Sequence, residues 1–209
     1  MEETDGQLPM EERTDGQPPE PEEDAPSLPG KELYEWLQLM LGCVLAAVIL
    51  FSLLARIIVV DGSSMDNTLQ HGELMLTWSL GYRPSRGDIV VLNKTAALTD
   101  SLLHSQAIVK RVVAVGGQSV DIDYASGTVY VDGAPLDEPY ILETMYRPSG
   151  PYMQQTHWDV PEDSIFVLGD NRNASTDSRH DLVGPIHQDY ILVKVVLALW
   201  PMDRFGPIP

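Results

Sequence analysis

The sequence is poor in cysteine and in basic residues. Its single cysteine, Cys43, cannot form a disulfide within the chain, so cysteine usage does not report the cellular compartment. Lys and Arg number 13 against 31 acidic residues, which gives a net charge of -18, and the cations form no basic stripe. Because nucleic-acid binding needs clustered cations that face phosphates, we expect no nucleic-acid partner.

The histidines lack the paired spacing of a metal site, such as H-x-x-x-H, so the sequence predicts no bound metal. They are His71, His104, His157, His180 and His187. The pair His180-Asp181 leaves a histidine-based catalytic triad as an alternative. Adjacent residues in a polar stretch are usually loop residues, however, and this alternative is the weaker one.

The acidic charge is concentrated at the N-terminus. Residues 1–36 contain twelve acidic residues against Arg13 and Lys31, a net charge of -10. Residues 1–30 are rich in Glu, Asp, Pro and Gly, and they have too few large apolar side chains to offset the entropy of ordering. We predict that residues 1–32 form a disordered tail. An acidic docking segment for a basic partner is the alternative.

A long uncharged run follows, from Leu37 to Ala55. At a rise of ~1.5 Å per residue it gives a helix of about 28 Å, close to the ~30 Å hydrocarbon core of a bilayer. Tyr34 and Trp36 stand at its start, where amphipathic rings favour the interface. The preceding region is long and acidic, unlike that of a cleaved signal peptide. We predict a transmembrane anchor over residues 33–56, with a buried helix as the alternative.

After the anchor the chain consists of short apolar or alternating runs, separated by Gly, Pro, Asn and Asp. This pattern predicts a mainly β domain over residues 57–209. It includes a hairpin at residues 124–128 and a second tight turn at residues 131–134. The predicted strands cover residues 57–60, 73–77, 88–92, 107–115, 119–124, 128–132, 164–168 and 190–199.

The segment from Gly62 to Leu69, directly after the first apolar run, is the first candidate for chemistry. Glycine lets the backbone approach a ligand closely, and a serine beside it becomes a nucleophile when a base takes its proton. The segment offers two, Ser63 and Ser64. A Ser-Ser pair in a turn with glycine is usually an ordinary loop. The hypothesis therefore needs a base and a substrate groove elsewhere in the chain.

Lys110 is the candidate base. It lies in the predicted strand 107–115, where alternation puts Lys110 on one face with Ile108 and puts Arg111 on the other. One of the two charges is therefore directed into an apolar surface. Burial lowers the pKa of an amine, and a fall from ~10.4 to near 7 corresponds to about 4–5 kcal/mol. A lysine that reaches the solvent from a half-buried strand is the alternative.

A third polar stretch, residues 169–179, follows the apolar strand 164–168. It is dense in Asp, Asn, Ser and Arg. Such a composition is typical of a surface turn, but alternating Asp and Arg also suit a fixed network of ion pairs. Ser175 in this stretch can hold a neighbouring amine in place by a hydrogen bond.

These segments, in this order behind an apolar helix, resemble the sequence boxes of bacterial type I signal peptidases, which are membrane-bound Ser/Lys proteases. The serine box G-x-S-M-x-P-T-L is similar to residues 62–69, and R-G-D-I-V-V matches residues 86–91. The lysine box K-R-V-V-x-x-x-G matches residues 110–117, and G-D-N-R-x-x-S-x-D-S-R matches residues 169–179. The resemblance covers nearly everything from the anchor to residue 206.

The resemblance implies a role for individual residues. Ser64 is the expected nucleophile, Lys110 the general base, and Ser175 the residue that orients the lysine amine. The backbone N–H of Ser64 is expected to hold the oxyanion. Gly62 stands where some relatives have a second hydroxyl donor, so that donor is missing or supplied by the backbone. Asn67 replaces the usual proline, which predicts a looser turn.

The resemblance also implies a supporting layer and a fold. Asp177 and Arg179 match a structural pair beneath the site, with Asp170 and Arg172 as further supporting residues. The expected fold is an unusual architecture of antiparallel sheets with one N-terminal transmembrane helix. No metal or cofactor is expected, because the dyad chemistry needs none.

The expected substrate is a preprotein whose signal peptide carries small residues at the third and first positions before the cut. It is expected to bind extended, as an added strand, in a groove flanked by residues 57–60 and 108–112. Attack by Ser64 gives an acyl-enzyme, and Lys110 then activates the hydrolytic water. The anchor implies a single-pass protein of the plasma membrane, with a cytoplasmic N-terminus and an extracytoplasmic catalytic domain near the export machinery.

Three alternatives remain at this point. A self-cleaving repressor shares the Ser/Lys chemistry, but the anchor and the lack of a DNA-binding module count against it. Eukaryotic and archaeal signal peptidases have a histidine in place of the lysine, and Lys110 favours the bacterial type. A catalytically inactive, membrane-anchored β binding module belongs to a different class, and the complete dyad disfavours it.

Overall fold

The computed structural model describes residues 30–93 and 107–208. Nearly all of the predicted acidic tail, residues 1–32, lies outside the described residues, so its disorder stays a prediction. Within the described part the chain is one N-terminal helix followed by short strands, and every strand pairing is antiparallel. The predicted mainly β class with a single N-terminal helix is therefore confirmed.

The helix α1 extends from Lys31 to Leu54 and begins and ends two residues earlier than the predicted anchor. It ends where the sequence turns to Ile57, Ile58 and Val59, whose branched side chains favour strands. Its stretch Lys31–Ser52 is long and apolar enough to cross a membrane, by length and composition, and none of it is buried. An apolar helix with exposed side chains fits a membrane anchor.

Twelve strands lie within the described residues. They are β1 (Ala55–Val59), β2 (Leu74–Trp78), β3 (Ile89–Asn93), β4 (Ala107–Val115), β5 (Ser119–Asp123), β6 (Thr128–Val131), β7 (Ala134–Pro135), β8 (His157–Asp159), β9 (Ser164–Leu168), β10 (Ile186–His187), β11 (Ile191–Trp200) and β12 (Gly206–Pro207).

The strands form two sheets. The larger has the order β1-β2-β11-β3-β4-β9-β10, with β12 paired to β11, and the smaller has the order β7-β6-β5-β8. One core cluster joins them: Val113 and Phe166 of the larger sheet pack with Val120 and Trp158 of the smaller. The chain thus buries two sheet faces against each other, which fixes the position of β4 and of the loop after β9.

Both candidate cations of β4 are buried, whereas alternation along the strand had predicted only that one of the two charges is directed into an apolar surface. Lys110 is 3% exposed and Arg111 is 2% exposed. Strand β4 pairs with β3 on one side and with β9 on the other, and Val112 and Val113 belong to different core clusters. Alternation along one strand cannot reveal this, because the second face is covered by segments distant in sequence.

The strand predictions hold best where the apolar run is long. Residues 107–115 and 164–168 have the predicted bounds, and the predicted turns join β5 to β6 and β6 to β7. Asp132 and Gly133 in the second turn have φ values of 52° and 75°, which suit a tight hairpin. Strands β7, β8, β10 and β12 were not predicted, because two or three residues carry no readable period.

Candidate active site

Ser64 lies in a loop between β1 and β2 whose two ends are tied together. The N–H of Val60 donates to the carbonyl of Glu73, and the N–H of Gly72 donates to the carbonyl of Val60, each at 2.9 Å. Met65, the residue after the serine, is 2% exposed and packs in a core cluster. The buried methionine fixes the backbone beside Ser64, while the serine itself is only partly buried.

Lys110 contacts this serine directly. Its Nζ lies 2.7 Å from Ser64 Oγ and 3.0 Å from the carbonyl oxygen of Val109. Because the side chain comes from a central strand, packing restricts its rotamers and holds the amine against the hydroxyl. A neutral amine at this distance can accept the serine proton, which is the geometry that a general base requires.

Ser175 lies beside the dyad, but its hydroxyl makes no bond to the lysine. It is 8% exposed, and its Oγ has no hydrogen-bond partner among the described residues. A methyl group on Gly169 would lie 2.3 Å from Ser175 Oγ and 2.5 Å from the carbonyl oxygen of Ser64. Only glycine therefore fits at position 169 between the two serines. The role of Ser175 in orienting the amine stays a prediction.

Asp177 and Arg179 form a buried ion pair in the loop after β9. Arg179 donates from Nε and Nη2 to the two carboxylate oxygens at 2.8 and 2.9 Å, and the N–H of Gly169 donates to the same carboxylate at 3.0 Å. Burial alone would raise the pKa of Asp177, but the charge of Arg179 and these hydrogen bonds outweigh it and hold the pKa below its usual range. The pair fixes the backbone at Gly169.

Asp170 and Arg172 do not pair with each other, and each has a partner that the sequence reasoning missed. Arg111 donates to the Asp170 carboxylate from Nε at 2.9 Å and from Nη2 at 2.7 Å. Arg172 donates to the Glu138 carboxylate from Nη1 at 2.9 Å and also from Nη2. The position of Arg111 next to Lys110 was the one sequence feature that could have indicated a buried partner for Asp170. No sequence feature connected Glu138 with Arg172.

The loop after β9 also makes hydrogen bonds to residues 60–73, the loop that carries Ser64 and is called the serine loop below. Thr68 Oγ1 donates to Asp170 at 2.6 Å. The backbone N–H of Asn171 donates to the carbonyl of Ser64 at 3.1 Å, and its side-chain amide donates to the carbonyl of Ser63 at 3.1 Å. Ser64 is therefore positioned by residues more than a hundred positions later in the chain.

Gly62 and Asn67 of the serine loop have positive φ angles. Gly62 has φ 102°, and its N–H donates to His71 Nδ1 at 3.3 Å. Asn67 has φ 86°, which proline cannot adopt, and its side-chain amide donates to the carbonyl of Tyr140 at 3.0 Å. Asn67 therefore ties the turn to the segment that contains Tyr140. The sequence had predicted a looser turn here, because Asn67 replaces the usual proline.

A cleft of about 320 Å³ opens beside the dyad. It is lined by Val60, Asp61, Gly62, Ser64, Met65 and residues 107–110. Within the described residues, β4 pairs with β3 over residues 107–111 and with β9 from Arg111 onward, and the cleft lies beside residues 107–110. Residues 57–60 and 108–112 were predicted to flank the groove, and part of each segment lines the cleft.

The site contains the parts of an acyl-transfer centre. A hydroxyl and a buried amine are in contact, and within the described residues the backbone N–H of Ser64 donates no hydrogen bond, which leaves it available to an oxyanion. Among residues 30–93 and 107–208, no group of three or more His, Cys, Asp or Glu side chains is placed to hold a metal ion.

Comparison with known proteins gives one family. The family model described as signal peptidase, peptidase S26, matches residues 33–200. A probable signal peptidase I-2 of Synechocystis sp. is 35% identical over 177 residues, which cover 82% of this chain and 76% of that protein. Signal peptidase IB of Staphylococcus aureus is 33% identical over 194 residues, with coverages of 84% and 93%.

Among solved structures, a signal peptidase I from Enterococcus faecalis overlaps 54% of this chain and 96% of its own, at 27% identity and a TM-score of 0.41. The family model spans most of the chain, and both sequence relatives align over more than three quarters of it. On the sequence comparisons, the chain belongs to the signal peptidase family of serine proteases, peptidase S26.

Proposed function

We propose that this protein removes signal peptides from exported preproteins, with Ser64 as the nucleophile and Lys110 as the general base. The observation that carries the proposal is the 2.7 Å contact between Lys110 Nζ and Ser64 Oγ. The two sequence relatives are named as signal peptidases I. A binding module without activity has no need of a buried amine held against a partly exposed hydroxyl, so the contact favours the enzyme.

The reaction is an acyl transfer in two steps. Lys110 takes the Ser64 proton as Oγ attacks the scissile carbonyl, and it then gives that proton to the departing amine of the mature protein. In the second step a water molecule gives a proton to Lys110 and attacks the acyl carbon. The bond between that carbon and Ser64 Oγ then breaks, Lys110 returns the proton to Oγ, and the signal peptide leaves as a carboxylic acid. The N–H of Ser64 stabilises the charge on the carbonyl oxygen in both steps.

The cleft supports an extended peptide with small side chains as the substrate. Its walls are the backbone of residues 107–110 and the turn 60–65. We expect an extended segment to lie along residues 107–110 by backbone hydrogen bonds, while shallow pockets between apolar residues such as Val60 and Ile108 select side-chain size. This arrangement favours small residues at the alternate positions that point toward the protein.

We assign α1 as the single membrane anchor, with the N-terminus in the cytoplasm and the sheet domain outside. The apolar, exposed stretch Lys31–Ser52 supports the anchor. The orientation follows from the substrate, because signal peptides are cut where preproteins leave the export machinery. The Lys and Arg residues beside the helix do not decide it, since Lys31 lies on one side and Arg56 on the other.

The test is cleavage of a preprotein by the detergent-solubilised full chain and by two variants, Ser64→Ala and Lys110→Met. Each variant is expected to lower the rate of cleavage by at least about 10³-fold, because the nucleophile and its base act as one unit. Ser63→Ala is the matched control: it removes the same hydroxyl one position earlier and is expected to keep activity near that of the unchanged protein.

Folding of each variant is checked by circular dichroism and by its thermal midpoint. Cleavage that survives in a folded Ser64→Ala or Lys110→Met protein would remove the dyad from the mechanism. If the unchanged chain binds a signal peptide but does not cut it, the inactive binding module replaces the enzyme as the better description.

A further inference from the structure

The last residues of the chain contact the serine loop from the side opposite the dyad. The family model ends at residue 200, but the chain continues in the structure to residue 208. This C-terminal segment, residues 201–208, forms a short 3-10 turn at Met202–Arg204 and then strand β12, which pairs with β11. Its Ile208 packs against the core cluster that contains Met65 and Leu69 of the serine loop.

Arg204 is the polar contact of this segment. Its Nη2 donates to the carbonyl of Thr68 at 2.7 Å, and its Nη1 lies 2.6 Å from Glu73 Oε1, an ion pair although the two atoms are not aligned as a hydrogen bond. The Glu73 side chain is 4% exposed and the Arg204 side chain 30%. One guanidinium therefore joins the middle of the serine loop to its last residue.

Glu73 closes the loop that carries Ser64. Its carbonyl accepts the N–H of Val60 at the start of the loop, and its carboxylate accepts the N–H of Gln70 at 3.1 Å. A buried carboxylate with one cation beside it depends on that cation, because an unpaired buried charge is strongly unfavourable. Arg204 thus stabilises the loop with its two ends hydrogen-bonded to each other, and it also fixes the position of the Thr68 carbonyl.

Thr68 connects the two sides of the loop. Its hydroxyl donates to Asp170 on the side of the active site, and its carbonyl accepts from Arg204 on the side of the C-terminal segment. The two bonds fix one peptide unit four residues after Ser64. Movement of this unit would change the 2.7 Å distance between Lys110 Nζ and Ser64 Oγ.

We propose that Arg204, held by the C-terminal segment, is a positioning residue for the nucleophile: through Glu73 and Thr68 it sets the distance between Ser64 and Lys110. The proposal rests on the assignment of Ser64 as the nucleophile. It places a residue that supports catalysis after residue 200, where the match to the family model ends. Loss of the contact is expected to slow the chemical step and to leave substrate binding nearly unchanged, because the cleft does not include residues 201–208.

The decisive variant is the double substitution Glu73→Gln with Arg204→Met. The introduced amide keeps an acceptor for the N–H of Gln70 and no buried charge is left unpaired, so the fold is expected to tolerate the change. We expect kcat for preprotein cleavage to fall by about tenfold to a hundredfold, with KM changed less than about twofold, since small misplacements of reacting groups have effects of this size. The single substitution Arg204→Lys keeps the charge beside Glu73, so its kcat is expected to lie between that of the double variant and that of the unchanged protein.

The matched control is the double substitution Asp88→Asn with Lys194→Met. This ion pair has the same 2.6 Å separation and a similar exposure, 35% for Lys194 and 14% for Asp88, but neither residue contacts the serine loop. It is expected to keep kcat near that of the unchanged protein. A similar fall of kcat in both double variants would mean that loss of any half-buried ion pair is sufficient, and it would overturn the proposal.

A second readout does not depend on activity. Amide hydrogen exchange of residues 61–72 is expected to become faster in the Glu73→Gln, Arg204→Met protein and to stay unchanged in the control. Unchanged exchange together with unchanged kcat would refute the role of Arg204, as would faster exchange over the whole sheet domain, which indicates a general structural role. If the unchanged enzyme cleaves no preprotein, the proposed function fails, and the exchange comparison then tests only whether Arg204 holds the loop that carries Ser64.

Discussion

At the scale of single residues, Lys110 is the side chain on which the proposed chemistry depends. Burial disfavours the charged form of an amine, and the Lys110 side chain is almost wholly enclosed. The amine donates an N–H to the Val109 carbonyl at 3.0 Å, and the Ser64 hydroxyl lies 2.7 Å from the same nitrogen. This burial and the contact with Ser64 are the reasons for which we propose Lys110 as the base.

The rate of cleavage is therefore expected to depend on pH. A general base acts only in its neutral form, so kcat/KM should rise as pH increases and the amine loses its proton, and the rise should lie below the ~10.4 of a free lysine. The measurement is kcat/KM of the full chain in detergent between pH 6 and pH 10, with circular dichroism at each pH to confirm folding. A flat profile over this range would argue against a lysine base.

At the scale of elements, the sequence indicated the strands and the proximity of Ser64 and Lys110 better than the ion pairs around these two residues. The boxes identified Ser64 and Lys110, and long apolar runs such as 107–115 gave strand bounds without error. The partners of Asp170 and Arg172 were missed, because ion pairs form between segments that only the tertiary fold brings together. The positive φ of Asn67 was missed for the same reason: it depends on the bond to Tyr140.

The loop after β9 is expected to make the domain sensitive to acid. The pKa of Asp177 is held below its usual range in the folded chain, so this carboxylate contributes stability at pH values above ~4, the range of an unfolded aspartate. That contribution is lost as pH falls through the lower pKa of the folded state. The free energy of unfolding, measured by denaturant titration from pH 7 down to pH 3, should therefore decrease at the acidic end.

Asp177→Asn should flatten this dependence and also destabilise the fold, by about 3–5 kcal/mol at pH 7, because the Arg179 side chain is 1% exposed and would lose its partner. Asp123→Asn is the control. Asp123 also has a pKa below its usual range, owing first to the hydrogen bond from Ser126, but it lies at the surface. If both variants have the same small effect, the buried pair is not the acid-sensitive element.

At the scale of the whole molecule, the core clusters of the described residues belong to the sheet domain. The three core clusters are built from residues between Ile58 and Ile208, and none of the described residues of α1 contributes to them. The stretch Lys31–Ser52 instead exposes its apolar side chains. We therefore expect that the sheets fold without α1, the proposed membrane anchor.

Removal of residues 1–53 tests this separation. The shortened chain keeps β1 and all three core clusters, so we expect antiparallel sheet content and a thermal midpoint close to those of the full chain, with no need for detergent to maintain the fold. Cleavage of a short soluble peptide should be retained, since the dyad and the cleft lie wholly after Val59. Cleavage of a preprotein inserted in lipid vesicles should become slower, because enzyme and substrate no longer share a surface.

The measurements are circular dichroism and the two cleavage rates, each compared with the full chain in the same lipid and detergent. Loss of the fold on removal of the helix would show that α1 supports the sheet domain, and equal rates on the vesicle-bound preprotein would show that the anchor does not serve the encounter with substrate.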